Sequence, residues 1–260
     1  MTTDLIPLLL AMLSGGVVAL LLTLFGGGGS VLAVPLLLYV VGVADPHVAI
    51  GVSAAGVALN ALTALAGHAR AGRVRWPCAT LFAVTGAAGA WIGSSVAKTI
   101  DGHQLLLIFA VAMAAVGASM LRQRAVVARP EPRLNWAMSP RVSLAGAGVG
   151  SAAGFFGIGG GFLIVPGLMA STGMTLATAQ ATSLLSVAAL GATTAGNYAL
   201  SGWVDPGLVA AMTVGGLAGT AAGLPLARKL GSNAALGRTL FAGLILMVAA
   251  YVAWRALAGT

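Results

Sequence analysis

Two glycine-rich motifs are the parts of this sequence best suited to binding a ligand. Residues 25–35 read FGGGGSVLAVP and residues 156–166 read FGIGGGFLIVP. A helix that begins inside a membrane leaves its first backbone N–H groups unpaired, and these groups and the helix dipole attract an anion. Glycines let an anion approach the backbone closely. The motifs therefore predict an anion site built from backbone donors.

The candidate binding residues in the motifs precede two short helices. They are Gly28, Gly29, Ser30, Gly159, Gly160 and Gly161. Pro35 and Pro166 kink these half-helices, because a proline lacks an N–H and frees the carbonyl four residues earlier. The alternative is that the glycines only allow tight helix packing, since glycine is common in transmembrane helices. The matching positions of glycines and prolines in both motifs favour a binding site.

A polar stripe follows each motif. Asp45 and Thr175 are placed to cap the next helices. Small and polar residues then recur at steps of three and four, which puts them on one helix face. The candidate substrate contacts on these faces are Ser53, Asn60, Thr63, Ser183, Ser186, Thr193 and Asn197. The two amides are the stronger candidates, because an amide buried in lipid needs a partner.

The composition predicts an all-α polytopic membrane protein. Of 260 residues, 59% are hydrophobic and 7% are charged. Apolar runs long enough to cross about 30 Å of hydrocarbon occupy residues 5–25, 48–66, 78–97, 104–121, 176–200, 207–226 and 239–254. The net charge of +8 lies in loops, so it reports membrane orientation and not nucleic-acid binding.

The sequence is an internal duplication. We predict a first transmembrane repeat at residues 1–125, a basic linker at 126–140 and a second repeat at 141–260, which together form one transport domain. Each repeat is expected to contain a glycine-broken re-entrant helix hairpin and three transmembrane helices. This gives eight helices if each hairpin counts once and ten segments if both arms count. In such an arrangement the two half-helix starts can meet near the membrane midplane.

The basic loops predict how the repeats face. Residues 68–77 and 122–141 carry most of the arginines in the first half and the linker, and the positive-inside rule places them in the cytoplasm. In the second half the basic residues move to the loop at 228–238. The second repeat is therefore predicted to be inverted, with both termini periplasmic. Parallel repeats with an accidental charge shift are the alternative.

Other features narrow the chemistry. No charged residue lies deep in a predicted span, although transport proteins driven by protons often bury a carboxylate. Lys98 and Arg228 end equivalent helices, where they can attract anions or anchor the helices at the interface. Cys78 is the single cysteine, and we expect no metal, cofactor, nucleic-acid partner or enzymatic activity. A coupling ion, H⁺ or Na⁺, stays open.

Two copies of G-x-G-G-G-x-h-x-x-P, where h is hydrophobic, resemble the sulfite exporter TauE/SafE family. The second copy matches at Gly157, Gly159, Gly160, Gly161 and Pro166, whereas the first has Ser30 in place of a glycine. The resemblance covers nearly the whole chain outside the linker. It implies a permease of the bacterial inner membrane for sulfite or an organosulfonate such as sulfoacetate.

Residues and resemblance together predict a secondary transporter that moves a small anion by alternating access. The alternatives are a passive anion channel and a membrane assembly protein without transport activity. The expected partners are the anionic substrate and the lipid bilayer. The oligomeric state stays open, with a homodimer as one candidate.

Overall fold

The computed structural model of the protein is a bundle of helices. It describes residues 5–122, 138–157, 161–230 and 234–258, and these residues contain no β-strand. The predicted all-α fold of a polytopic membrane protein is confirmed. Most of the predicted basic linker, together with Gly159 and Gly160, lies outside the described residues.

Seven helices follow the seven predicted apolar runs closely, whereas the helix at Ser139–Phe156 lies where no run was predicted. The first half contains α1 (Leu5–Phe25), α2 (Ala33–Leu36), α3 (Pro46–Arg70), α4 (Trp76–Ala97) and α5 (Gly102–Arg122). The second half contains α6 (Ser139–Phe156), α7 (Gly161–Thr172), α8 (Leu176–Ala199), α9 (Pro206–Leu230) and α10 (Ala234–Ala258). Within the described residues, five helices are long and apolar enough to cross a membrane, namely α1, α3, α4, α8 and residues Pro206–Ala227 of α9.

Each glycine motif opens a short helical segment that returns along the preceding helix. In the first half this segment, which we call the first arm (residues 26–41), joins a 3₁₀ turn at Gly26–Leu32, the short α2 and a π turn at Leu37–Val41. The second arm is α7. Pro35 and Pro166 lie inside the two arms. Changes from 3₁₀ to α to π geometry are expected where a proline removes a helical donor.

The duplication has a counterpart in the backbone. The first arm ends at Gly42 (φ 85°) and the second at Gly173 (φ 73°). The turn after α3 uses Gly72 (φ 67°), and the turn after α8 uses Gly202 (φ 75°). Glycine adopts positive φ without strain. The two equivalent turns of each half therefore contain glycine at the position with positive φ.

The predicted helix caps are confirmed. The Asp45 carboxylate accepts a hydrogen bond from the His47 N–H at the start of α3. The Thr175 hydroxyl accepts one from the Thr178 N–H at the start of α8. Each cap satisfies a donor that the first helical turn leaves unpaired.

The first helix of each half packs on the fourth helix of the other half. Gly15 of α1 lies against Met212 of α9, and Gly16 lies against Gly219. Residue numbers increase together along the two helices, so α1 and α9 run parallel. Glycine at these positions lets the two backbones come into direct contact.

The contact between α4 and α6 has the same form. Gly150 of α6 lies against Gly86 of α4, and Gly154 lies against Ala90. Residue numbers again increase together, so α4 and α6 are parallel. These two close helix contacts therefore join one half to the other.

The third helices of the two halves cross in opposite directions. Gly191 of α8 packs on Ala54 of α3, whereas Gly51 of α3 packs on Trp203 after the end of α8. By contrast, α3 runs parallel to α9, since Asn60 meets Gly216 and Gly67 meets Leu224.

The direction of α4 follows from its contacts with α8. Gly86 meets Leu190, and further along both helices Lys98 meets Asn197. These contacts make α4 parallel to α8 and thus opposite to α3. By these contacts α1, α3 and α4 each point opposite to their counterparts α6, α8 and α9. The sides of the membrane that their ends face stay a prediction.

Candidate functional site

The two arms pack against each other in the interior of the bundle. Val31, Ala33 and Leu37 of the first arm have no exposed surface, and neither have Ile164 and Leu168 of the second. The second arm also contacts α6 and α8, and the first contacts α1 and α8. The motifs that the sequence singles out therefore lie at the contact between the two halves.

The turns at the two glycine motifs lie toward opposite ends of the bundle. Gly157, just before the second glycine run, lies against Ile50, and its carbonyl accepts a hydrogen bond from the Ser53 hydroxyl at 2.9 Å. This turn is thus level with the first turns of α3. At the other motif Gly29 lies against Leu21 and Leu22, near the end of α1.

The expectation that the half-helix starts meet near the midplane is wrong for the described residues. Because α1 is parallel to α3, the end of α1 and the start of α3 lie at opposite ends of the bundle. The 21 residues of α1 extend about 31 Å at 1.5 Å per residue, which is the full hydrocarbon thickness. α1 is therefore long enough to cross the hydrocarbon before the first hairpin turns.

The glycines of the first motif have a packing role at one position. A side chain on Gly29 would place its Cβ 2.3 Å from the Leu22 backbone nitrogen. Gly29 is therefore required for the arm to return along α1. Ser30 is fully buried beside it. Gly28 lies in the same 3₁₀ turn, and Gly161 begins the second arm.

The polar stripe on α3 faces the other half of the protein. Thr63 donates to the Asn60 carbonyl at 2.7 Å, and its hydroxyl lies 3.2 Å from the hydroxyl of Thr220 on α9. Ser53 binds the turn at the second motif, as described above. These two side chains connect α3 to α9 and to the second hairpin.

Asn60 is the buried amide whose hydrogen-bonding groups are not all paired. It has no exposed surface, and its Nδ2 has one weak partner, the Met212 carbonyl at 3.5 Å. Its Oδ1 has no hydrogen-bond partner in the structure. A buried acceptor without a donor costs about 1–3 kcal/mol, so Asn60 can gain free energy by binding a hydrogen-bonding ligand or water.

The stripe on α8 is mostly satisfied by its own helix. Ser183 donates to the Gln180 carbonyl at 2.8 Å, and Thr193 donates to the Ala189 carbonyl at 2.8 Å. Ser186 differs, because it is fully buried and its hydroxyl lacks a hydrogen-bond partner. Among the predicted contacts on α8, Ser186 thus has the capacity that a ligand could use.

Asn197 belongs to a closed hydrogen-bond cluster, which we call the Lys98 clamp: Lys98, Asn197, Ser94, Ser95, Ser201 and the Trp91 carbonyl. The Lys98 ammonium donates to Asn197 Oδ1 at 2.8 Å, to the Asn197 carbonyl at 3.1 Å and to Ser201 at 3.0 Å. The two Asn197 amide protons have three acceptors, which are Ser94, Ser95 and the Trp91 carbonyl.

The Lys98 clamp gives Asn197 and Lys98 hydrogen-bond partners that the sequence did not predict. The Asn197 amide is fully used by protein partners, so the structure favours a structural role over substrate contact. The Lys98 ammonium is held by α8, whereas the sequence suggested an anion attractor or a membrane anchor. The spacing along α4 and α8 gave no signal for this contact, because it joins residues about a hundred positions apart.

Sequence reasoning missed two buried hydroxyls on α8. Thr194 and Tyr198 have no exposed surface, and neither hydroxyl has a hydrogen-bond partner in the structure. They lie one residue beyond the predicted positions Thr193 and Asn197, on the adjacent helix face. Their spacing of four residues was a signal that could have identified them.

The described residues contain no group of three or more His, Cys, Asp or Glu side chains that could hold a metal ion. None of the charged side chains whose burial is described is fully buried. Any anion within this part of the bundle would therefore meet backbone dipoles, hydroxyls and amides.

Comparison with known proteins gives a family and related sequences. The sulfite exporter TauE/SafE family matches residues 11–252. A probable membrane transporter protein of Xylella fastidiosa (strain Temecula1) is 45% identical over 243 residues, which cover 93% of each chain. The probable membrane transporter protein YdhB of Bacillus subtilis is 26% identical over 198 residues, covering 75% of this chain and 79% of that one. No solved structure matches the chain.

Proposed function

The chain belongs to the sulfite exporter TauE/SafE family, and we propose that it is a secondary transporter that moves a small anion across the bacterial inner membrane. The family and the names of the relatives indicate a membrane transporter and not an enzyme. The family name and the neutral polar interior support sulfite or an organosulfonate such as sulfoacetate as the substrate.

One observation carries the proposal: two glycine-broken arms from opposite halves pack together, and their turns lie toward opposite ends of the bundle. A helix that starts within the bundle, as α7 does at Gly161, presents unpaired N–H groups to an anion. Two such starts near opposite ends offer one anion site to each side of the membrane. Alternating access then transfers the anion between them past the buried Asn60 and Ser186.

The proposal predicts selection by charge. A sulfonate or sulfite group accepts hydrogen bonds from backbone donors, whereas the ammonium of taurine is unfavourable beside the positive end of a helix dipole. We expect sulfite or sulfoacetate to bind at least about tenfold more tightly than taurine, a difference of about 1.4 kcal/mol. Thermal unfolding of the purified protein with each compound measures this difference.

Counterflow in liposomes distinguishes a transporter from a passive channel. Saturable sulfite uptake that is stimulated by unlabelled sulfite inside the vesicle supports alternating access. Linear, unstimulated flux would support the channel instead. No flux of any anion would favour the third alternative, an assembly protein.

A glycine substitution tests the proposed anion site. Gly160→Leu should abolish transport while membrane insertion is retained, because the side chain would occupy the space beside the start of α7. Gly148→Leu is the control, since nothing lies within 4 Å of a Cβ added at Gly148. Normal transport by Gly160→Leu would contradict the site.

The proposed orientation places the basic loops in the cytoplasm and both termini in the periplasm. A reporter fused after Val204 should lie outside the cell, and one fused after Gly231 should lie inside. The opposite result at both positions would exclude the inverted arrangement across the membrane.

A further inference from the structure

Thr194 of α8 is a buried threonine whose hydroxyl is unpaired. Its side chain has no exposed surface, and in the described part of the chain its Oγ1 has no hydrogen-bond partner. A threonine inside a helix can donate to a carbonyl of the preceding turn, as the neighbouring Thr193 does to Ala189. Thr194 makes no such bond, so its hydroxyl proton is available to a ligand.

The residues one turn before and after Thr194 show which way it faces. Leu190 lies against Gly86 of α4, and Tyr198 lies against Gly51 of α3. Residues four apart lie on neighbouring parts of one helix face. Thr194 therefore points into the junction between α3, α4 and α8.

Thr194 lies at the depth where α6 ends. α8 runs parallel to α4, and one turn beyond its contact with Gly86 it brings Thr194 level with Ala90. Gly154, near the end of α6, lies against Ala90. Directly afterwards the chain turns at Gly157. The Thr194 hydroxyl and the turn at the second glycine motif are thus at one level of the bundle.

The contacts of α8 with α3 give the same depth. Gly51 and Ala54 contact α8 about one turn beyond and one turn before Thr194. Ser53 lies at that level, and its hydroxyl donates to the Gly157 carbonyl at 2.9 Å. Two separate helix contacts therefore place Thr194 level with the turn at the second motif.

The start of α7 lies at this depth too. Gly167 of α7 lies against Val149 of α6 and Phe82 of α4. Since α7 returns along α6, its first residue, Gly161, lies about 9 Å further along α4 at 1.5 Å per residue, close to the level of Ala90. The first N–H groups of α7 have no partner within their own helix. These groups and the Thr194 hydroxyl are donors at one depth, on two helices that contact each other.

This combination of donors suits an oxyanion. Backbone N–H groups and a hydroxyl both donate hydrogen bonds, and a charged acceptor forms the stronger ones. A cation would meet the positive end of the α7 dipole, which is unfavourable. An apolar ligand would leave both kinds of donor unpaired in a buried place.

We propose that Thr194 donates a hydrogen bond to the anion bound at the start of α7. Its hydroxyl is the side-chain donor of this site, and the first N–H groups of α7 are the backbone donors. Because these donors come from two helices, the site favours a group with several acceptor oxygens, such as sulfite or a sulfonate. This assignment rests on the proposed transport function.

Thr194→Val tests the hydroxyl, because valine keeps the branched shape and removes the donor. The dissociation constant for sulfite, obtained from thermal unfolding of the purified protein, should rise at least about tenfold, the equivalent of about 1.4 kcal/mol. Without sulfite the melting temperature should stay the same or rise, because the variant removes a buried unpaired hydroxyl. An unchanged dissociation constant would overturn the proposal.

Thr193→Val is the matched control, since the Thr193 hydroxyl donates within its own helix, and it should bind sulfite as the wild type does. Thr194→Ser and Thr194→Ala differ only in the hydroxyl and give a second test if Thr194→Val does not fold. The serine variant should bind sulfite at least about tenfold more tightly than the alanine variant. Equal binding by these two variants would show that the hydroxyl does not contact the anion.

The wild-type protein separates this inference from the proposed function. In liposomes, Thr194→Val should raise the sulfite concentration that gives half-maximal counterflow. If both proteins bind and transport sulfite or sulfoacetate equally well, the role of Thr194 is wrong and the proposed function stands. If the wild type neither binds nor transports these anions, the proposed function and the role of Thr194 are both wrong.

Discussion

The contacts α3–α9 and α8–α4 have the same geometry but different chemistry. Each joins the third helix of one half to the fourth helix of the other. At the same place in both, a glycine of the fourth helix meets a side chain of the third: Gly216 meets Asn60, and Gly86 meets Leu190. One contact therefore has an amide where the other has a leucine.

At the ends of the two contacts the polar residues lie in α8–α4 and the apolar residues in α3–α9. In α8–α4 the end carries the Lys98 clamp, with Asn197 2.7 Å from Ser94. The corresponding residues of α3–α9 are Gly67 and Leu224, which make an apolar contact. Polar groups thus occupy the middle of one contact and the end of the other.

The two contacts distinguish buried polar side chains that stabilise the fold from those that could bind a ligand. A buried polar group stabilises the fold only when its hydrogen bonds are satisfied. The Lys98 clamp meets this condition, so we assign it to holding α4 and α8 together. Asn60 does not meet it, because its Oδ1 has no partner, so we propose that Asn60 contacts the ligand.

The largest expected effect comes from the paired glycines. In Gly216→Ala the new Cβ would lie 1.9 Å from Asn60 Oδ1, whereas in Gly86→Ala it would lie 2.8 Å from the flexible end of Leu190. We expect Gly216→Ala to lower the free energy of unfolding by about 3 kcal/mol and Gly86→Ala by about 1 kcal/mol or less. Unfolding in detergent measures both.

A second substitution checks the cause of this difference. Adding Asn60→Ala to Gly216→Ala removes the colliding amide and should recover most of the lost stability. Equal losses in the two single variants would show that the helices move apart easily and that the amide does not set the contact.

The next effect separates the two amides. Leucine branches at Cγ as asparagine does, so Asn60→Leu removes an unsatisfied group with little change of shape and should leave the stability unchanged or raise it by up to about 3 kcal/mol. Its transport should fall at least about tenfold, the equivalent of about 1.4 kcal/mol. Asn197→Leu should instead lose about 2–3 kcal/mol of stability, because Lys98 and Ser94 lose partners.

Counterflow per folded molecule and unfolding in detergent give the two quantities. If Asn60→Leu transports normally, the Asn60 amide does not contact the substrate, and its missing hydrogen bond does not mark a binding site. If Asn197→Leu is as stable as the wild type, the Lys98 clamp does not hold α4 to α8.

Much of this fold could be predicted from residue patterns, because those patterns act locally. The apolar run at residues 5–25 gave the end of α1 at Phe25, and residue types suited to capping gave Asp45 and Thr175. The repeated motifs located both arms. The depth of the two turns was missed, since it depends on how far α1 and α6 extend before the glycines and on the helices that pack beside them.

The partners of the candidate site residues could not be predicted for a related reason. A stripe of polar residues shows which helix face is polar but not which helix it meets. The polar stripes predicted substrate contact for both Asn60 and Asn197. In the folded protein the Asn197 amide is paired with neighbouring helices, whereas Asn60 Oδ1 is not. Tyr198 and Trp203 meet His47 only because α3 and α8 cross in opposite directions.

A smaller effect is expected at the cation of the Lys98 clamp. Lys98→Met keeps most of the apolar stem but removes two hydrogen bonds to Asn197 of α8 and one to Ser201 in the turn after it. The remaining Asn197 amide bonds still hold α4 to α8, so we expect a loss of about 1–2 kcal/mol, less than in Asn197→Leu. Lys98→Arg is the control that keeps the charge. A loss in Lys98→Met as large as in Asn197→Leu would show that the cation and the amide act as one unit.

The smallest expected effect tests whether the middle of α3–α9 is held by hydrogen bonds at all. Thr63 and Thr220 share one bond of 3.2 Å between the halves, whereas the counterpart Thr193 bonds only within its own helix. Hydrogen bonds between membrane helices average about 0.6 kcal/mol. A double-mutant cycle of Thr63→Val and Thr220→Val should give a coupling of about that size. Thr193→Val should show no coupling to Thr220→Val, because the two hydroxyls make no contact. A coupling near zero for the first pair would contradict a stabilising hydrogen bond between Thr63 and Thr220. The contact between α3 and α9 would then depend on the steric fit of Asn60 against Gly216.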